Sequence, residues 1–174
     1  MVLTIRLERV ANTAPQPSRC IEDKSMTFIT ARDIAAKIPD EARCFLPVSS
    51  TNLPIETNDS VSALIEAIAV ITSKIKLSQR AHIIIGTTPF TVALSNGVLS
   101  YATQVQTIHA NVENFIFLDF NKINLHLHQL KVACILEELV YTLMNVKDEN
   151  LVSRIVQFLY PHISLNEKGQ YVVS

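Results

Sequence analysis

Two adjacent carboxylates and a tyrosine stand close together in the second half of the chain. Glu137, Glu138 and Tyr141 fall within residues 125–145, where apolar side chains recur at helical spacing. The predicted helix is apolar nearly all round, which is typical of a helix that is mostly buried. The carboxylates could therefore face a covered groove and act as a general base or as metal ligands. The alternative, which the sequence alone favours, is a solvated stripe with Tyr141 beside it.

Residues 58–160 resemble the core of the zincin metallopeptidases in the order of their predicted elements and in the segment 136–141, Leu-Glu-Glu-Leu-Val-Tyr. The active-site helix of that family carries H-E-x-x-H, in which two histidines bind zinc and the glutamate is the general base. The resemblance puts Glu138 at the general-base position, with Glu137 and Tyr141 at the two histidine positions. Tyrosine, with a pKa of about 10, is a poor zinc ligand at neutral pH. The resemblance therefore implies a zincin-like scaffold without peptidase activity.

The five histidines do not point to one metal site. On a helix, His126 and His128 would project about 200° apart, and they could share an ion only if residues 125–128 were extended. His82 is expected to begin a strand, His109 to lie in a polar loop and His162 to follow Pro161. If a metal were bound, the candidate ligands would be Glu137, Tyr141 and His126. We expect no metal and no cofactor.

Periodicity and turn residues divide the chain into predicted elements. Single strands are expected at residues 2–9, 26–29, 82–85 and 114–120, with an edge strand at 44–48 because of Pro47. Hairpins are expected from 90–94 with 98–102 about Asn96-Gly97, and from 163–165 with 171–173 about residues 166–169. Helices are expected at 31–38 (capped by Thr30), 61–75 (capped by Asn58, Asp59 and Ser60), 125–145 and 148–159 (capped by Asp148 and Glu149). Residues 10–25 and 49–59 are expected to be loops.

These elements predict an α+β fold. An antiparallel or mixed sheet with a central hairpin would pack against the two long helices. The chain is expected to form a single domain over residues 1–174, with residues 1–50 as a possible subdomain and 58–174 as the main body. The predicted core consists of Leu64, Ile68, Ile71, Ile75, Val132, Ile135, Leu139 and Leu143.

Composition excludes several classes of function. The 174 residues are 48% hydrophobic and carry a formal net charge of −1, so no basic surface is expected for nucleic acid. Only three glycines occur, and none of them builds a glycine-rich phosphate loop. Apolar tracts are much shorter than the roughly 18 residues that a membrane span requires. Nucleic acid and membrane are therefore not expected as partners.

Cysteine usage favours the cytoplasm. Cys20, Cys44 and Cys134 make an odd count without C-x-x-C spacing, which is typical of free thiols in a reducing compartment. The charged, alternating residues 2–9 do not have the pattern of a signal peptide.

Two hypotheses of different classes remain, together with a third possibility, a small-molecule pocket between the sheet and the helices. The first is a non-catalytic cytoplasmic protein that binds a protein partner or forms a homo-oligomer, because its charge is low and its apolar content is high. The second is a divergent zincin-like, metal-dependent hydrolase with Glu138 as general base.

Overall fold

The computed structural model describes residues 6–7, 28–86, 90–94, 97–101, 109–112 and 114–174. The helices are α1 (Ala31–Lys37), α2 (Asp40–Arg43), α3 (Asn58–Lys74), α4 (Phe120–Ile123), α5 (His128–Leu143) and α6 (Glu149–Leu159), with a 3₁₀ turn at Ile55–Thr57. The strands are β1 (Arg6–Leu7), β2 (Phe28–Ile29), β3 (Val48–Ser50), β4 (Leu53–Pro54), β5 (His82–Gly86), β6 (Phe90–Leu94), β7 (Gly97–Tyr101), β8 (His109–Val112), β9 (Phe115–Asp119), β10 (Ile163–Leu165) and β11 (Tyr171–Val173). The predicted loop at 10–25, most of the strand at 2–9, and Cys20 lie outside the described residues.

The largest sheet is mixed and has the order β3-β5-β9-β8. β3, β5 and β9 run parallel, and β8 pairs antiparallel with β9 at one edge, where His109 lies opposite Leu118. The isoleucine run Ile83–Ile85 is buried, as expected for a parallel strand covered on both faces. The long helices α3 and α5 pack against each other beside this sheet. The α+β prediction, with a mixed sheet against two long helices, is confirmed.

The core lies between these two helices and the sheet. The prediction of burial is confirmed for six positions, all with no exposed surface: Leu64, Ile68, Ile71, Val132, Ile135 and Leu139. Ile75 and Leu143 are only partly buried, because they lie at the carboxyl ends of α3 and α5. No helix of the described part of the chain is both long and apolar enough to cross a membrane.

The central hairpin is confirmed, but its predicted place in the main sheet is wrong, because it belongs to a separate three-stranded sheet. β6 and β7 pair antiparallel, with Leu94 opposite Gly97, and β1 adds a third strand beside β7. Gly97 thus belongs to the strand, whereas the prediction placed it in the turn. Asn96 and residues 102–104 lie outside the described residues. The last hairpin, β10 with β11, is also confirmed, and Gly169 in its turn has a positive φ of 73°.

The segment around Pro47 differs from the prediction of a strand at 44–48 and a loop at 49–59. The short helix α2 precedes it, with Asp40 in the first turn and Arg43 in the last, an arrangement that complements the helix dipole. Strand β3 begins only after Pro47, whose carbonyl accepts a hydrogen bond from the Ile83 N–H. β3 does lie at the edge of its sheet, as the proline predicted. Residues 53–57 then form β4 and the 3₁₀ turn.

Helix starts were predicted with mixed success. Thr30 caps α1 with a full capping box, and the Asp148 side chain accepts a hydrogen bond from the Leu151 N–H at the start of α6. Asn58, Asp59 and Ser60 do not cap α3, because they already lie within its first turn and Thr57 occupies the N-cap position.

The start of α5 was predicted three residues too early. Asp119 accepts a hydrogen bond from the Asn121 N–H and so begins the separate short helix α4 immediately after β9. Residues 124–127 connect the two helices, and α5 begins at His128. Leu125 and Leu127, assigned to the long helix by their spacing, therefore lie outside it.

Candidate functional site

Helix α5 places the predicted catalytic residue beside a histidine that the sequence analysis did not select. Glu137 and Glu138 follow Cys134 by three and four residues, so both carboxylates lie on the same side of the helix as Cys134. Strands β8 and β11 both pack against this helix. His109 is the first residue of β8, and its side chain reaches both carboxylates of α5.

The geometry is that of a buried ion pair. His109 Nδ1 lies 2.5 Å from Glu138 Oε1, and His109 Nε2 lies 3.7 Å from Glu137 Oε2. The side chain of Glu138 is only 9% exposed, and its second oxygen, Oε2, is buried without a hydrogen-bond partner. Glu138 is therefore held by the imidazole of His109 and is closed off from bulk water.

The charges of this cluster follow from its contacts. Burial opposes the charged form of His109, but interactions with Cys134 and Glu138 prevail and raise its pKa to about 10. His109 is thus an imidazolium at neutral pH. Burial also raises the pKa of Glu137, although the positive charge of His109 works in the opposite direction. The shorter distance and the deeper burial identify Glu138, and not Glu137, as the principal carboxylate partner of the histidine.

Tyr171 extends the cluster to the last strand. Its hydroxyl donates a long hydrogen bond to Glu137 Oε1, at 3.4 Å. Burial, reinforced by the charge of Glu137, raises the pKa of Tyr171, so the phenol keeps its proton and remains a donor. The cluster of His109, Glu137, Glu138 and Tyr171, called here the His109 cluster, joins β8, α5 and β11.

The structure brings together only some of the predicted site residues. Glu137 and Glu138 do come together in a covered position, so the interpretation as a solvated stripe is wrong. Tyr141 is partly buried and has the Lys147 ammonium 4.2 Å above the centre of its ring. His126 lies in the connection between α4 and α5.

His109 was missed because the sequence analysis assigned it to a loop. Residues 109–112, His-Ala-Asn-Val, are too short and too polar to be recognised as a strand, and only their pairing with β9 makes them one. Among the described residues, no group of three or more His, Cys, Asp or Glu side chains could hold a metal ion. The contacts of His109 with Glu137 and Glu138 link strand β8 to helix α5.

A second feature of this fold is an exposed apolar surface at the amino end of α5. Leu125 is 84% exposed and Leu127 is 64% exposed, and both lie just before that helix. Phe158 near the carboxyl end of α6 is 83% exposed. These three residues are called here the apolar end patch.

Hydrogen bonds to one glutamate of α3 bring the two parts of the patch to the same end of the molecule. Glu66 Oε2 lies 2.8 Å from His128 Nε2, and Glu66 Oε1 accepts a hydrogen bond of 2.9 Å from the Tyr160 hydroxyl. His128 follows Leu127 directly, and Tyr160 lies two residues after Phe158. The two segments that carry the exposed apolar side chains are therefore both bound to the same glutamate of α3.

Comparison of the chain with protein-family models, with curated proteins and with solved structures finds no match.

Proposed function

We propose that the protein is a non-catalytic, cytoplasmic module that self-associates through the apolar end patch. The single observation that carries the proposal is the exposure of Phe158, Leu125 and Leu127 at one end of the molecule. Isolated exposed leucines are ordinary, but a phenylalanine and two leucines grouped at one end are typical of an interaction surface. Aromatic side chains are also enriched in the centres of interfaces.

The small net charge of the chain supports a second copy of the same chain as the partner. The formal net charge is −1, so two copies repel each other very little. A two-fold axis through the patch would place Phe158 of one copy against the leucines of the other and would bury all of them in one symmetric interface. Free thiols at Cys44 and Cys134 support the assignment to a reducing compartment.

The contacts of Glu138 support the non-catalytic part of the proposal. A general base must accept a proton from water or substrate, yet Glu138 Oε1 is held at 2.5 Å by His109 and the side chain is 9% exposed. On a zincin-like scaffold, the general-base position would thus be used for a structural ion pair. The scaffold itself is part of the proposal and is supported by the placement of Glu138 on a long helix beside a mixed sheet.

The experiment is sedimentation velocity of the full chain over a wide range of concentration, with matched variants. Wild-type protein is expected to dimerise, and Phe158→Asp is expected to remain monomeric because it places a charge in the apolar end patch. Leu151→Asp is the control, since Leu151 is also on α6 and is 49% exposed but lies near the opposite end of that helix. A wild-type protein that stays monomeric, or equal loss of dimer in both variants, would contradict the proposal.

The second candidate is a divergent zincin-like, metal-dependent hydrolase with Glu138 as general base. It is favoured by one observation, the convergence of His109 with two carboxylates on the helix that the resemblance singled out. Elemental analysis and a peptidase assay distinguish it from the first candidate.

A further inference from the structure

His128 occupies an unusual position between two carboxylates of α3. Its Nδ1 lies 2.8 Å from Asp59 Oδ1, and its Nε2 lies 2.8 Å from Glu66 Oε2. A neutral imidazole carries only one N–H group, and ionised carboxylates only accept hydrogen bonds. Both contacts can be hydrogen bonds at once only when His128 is an imidazolium.

The other charges around His128 lead to the same conclusion. Asp59 Oδ2 also accepts a hydrogen bond of 2.6 Å from Lys131 Nζ, and the Lys131 side chain is only 4% exposed. Glu66 also accepts the hydrogen bond from Tyr160, whose ring contacts the ring of His162 edge-on. Burial, reinforced by Glu66, raises the pKa of Tyr160, so its phenol stays neutral. Two carboxylates therefore face Lys131 and His128, and the charges balance only when His128 is protonated.

The helix itself opposes a positive charge at this position. His128 is the first residue of α5, the N-cap residue Leu127 makes no side-chain capping bond, and the first turn contains no acidic residue. A cation there meets the positive end of the helix dipole. The carboxylates of α3 therefore have to supply the stabilisation of the imidazolium.

We propose that protonated His128 is a latch that fastens the start of α5 to α3 and so holds the apolar end patch in place. The inference rests on the proposed function, because the patch is the surface proposed for self-association. Glu66 is the centre of the latch, since it binds His128 on one side of the patch and Tyr160 on the other. Loss of the proton removes one of the two hydrogen bonds of His128 and leaves a lone pair facing a carboxylate. The first turn of α5, with Leu125 and Leu127 before it, then loosens.

The direction of the pH dependence follows from the partners. The hydrogen bond to Glu66 raises the pKa of His128, burial opposes this, and Asp59 raises it further. A histidine whose pKa is raised on folding stabilises the fold fully below its unfolded value of about 6.5. That contribution disappears as the pH rises through the folded-state pKa. The latch is therefore closed in mildly acidic solution and opens as the pH rises through the raised pKa of His128.

The test is amide hydrogen exchange of the full chain at pH 6 and pH 9, corrected for the intrinsic dependence of exchange on pH. Wild-type protein should lose protection of residues 124–131 by about tenfold at pH 9, the effect of roughly one hydrogen bond to a charged group. His128→Gln cannot titrate at this position, so its residues 124–131 should lose no more protection than the fold as a whole loses through the titration of His109. His126→Gln is the matched control and should behave like wild type. Glu66→Gln removes one of the two charges and should shift the midpoint of the change to lower pH.

Sedimentation at the same two pH values separates the latch from the function on which it rests. Association that weakens at pH 9 in wild type, but not in His128→Gln, supports both. A protein that is monomeric at both pH values, but whose protection still changes, supports the latch and contradicts the proposed self-association. Protection that is independent of pH in wild type, or that changes equally in His128→Gln, overturns the latch.

Discussion

His109 on β8 and Glu138 on α5 form a buried ion pair, with the histidine Nδ1 2.5 Å from the glutamate Oε1. The two residues are 29 positions apart in the chain, and the pair joins an edge strand of the mixed sheet to the helix beside it. Because the remaining oxygen of Glu138 is buried without a partner, the histidine is the group that compensates the buried charge.

Substitution of His109 should strongly lower the free energy of unfolding. His109→Gln leaves the negative charge of Glu138 buried without its cation, and breaking such a pair typically costs about 3–5 kcal/mol. Urea unfolding measures the loss. His126→Gln, which changes a partly buried histidine outside α5, should alter stability by less than about 0.5 kcal/mol. Equal effects of the two substitutions would show that the His109 cluster does not support the fold.

The same pair predicts a loss of stability in alkaline solution. The pKa of His109 is raised to about 10 in the folded protein, so its stabilisation is complete below about 6.5 and disappears as the pH rises through about 10. The free energy of unfolding should fall between pH 7 and pH 10.5, and His109→Gln should remove much of that slope. A slope unchanged by the substitution would assign the titration to other groups.

The protein should bind no stoichiometric zinc and should not cleave peptides. Zinc hydrolysis requires about three protein ligands and an open position for water, whereas Glu138 is occupied by His109. Elemental analysis of protein purified without a histidine tag, together with a peptidase assay, provides the measurement. One equivalent of metal, with hydrolysis that is lost in Glu138→Gln, would establish the hydrolase instead.

The face of α5 that packs into the core can be tested with one leucine. Leu139 has no exposed surface, so Leu139→Ala should cost about 2–5 kcal/mol. Leu151→Ala, at a half-exposed position on α6, should cost much less. A loss below about 1 kcal/mol for Leu139→Ala would mean that this face of the helix is not the one in the core.

Periodicity was sufficient to predict the elements that form the core. The spacing of Leu64, Ile68 and Ile71 identified α3, and the β-branched and aromatic residues of β5 and β9 identified the central strands. Local chemistry also identified Thr30 and Asp148 as caps. These features depend on near neighbours in the chain, which a single sequence contains.

The candidate site could not be predicted because it depends on contacts between residues that are far apart in the sequence. β8 becomes a strand only through its contact with β9, so His109 could not be placed beside Glu138 from its own neighbours. The start of α5 was misplaced because Leu125 and Leu127 continue the apolar spacing, although Asp119 begins a separate helix before them. That error concealed both the apolar end patch and the position of His128 at a helix terminus.

Hydrogen exchange of the wild-type protein below and above the concentration at which it associates tests the central claim most directly. Self-association through the apolar end patch predicts increased protection at residues 124–128 and 156–160, with little change at residues 149–152 near the opposite end of α6. Exchange that does not depend on concentration, or protection gained only elsewhere in the chain, would contradict the account.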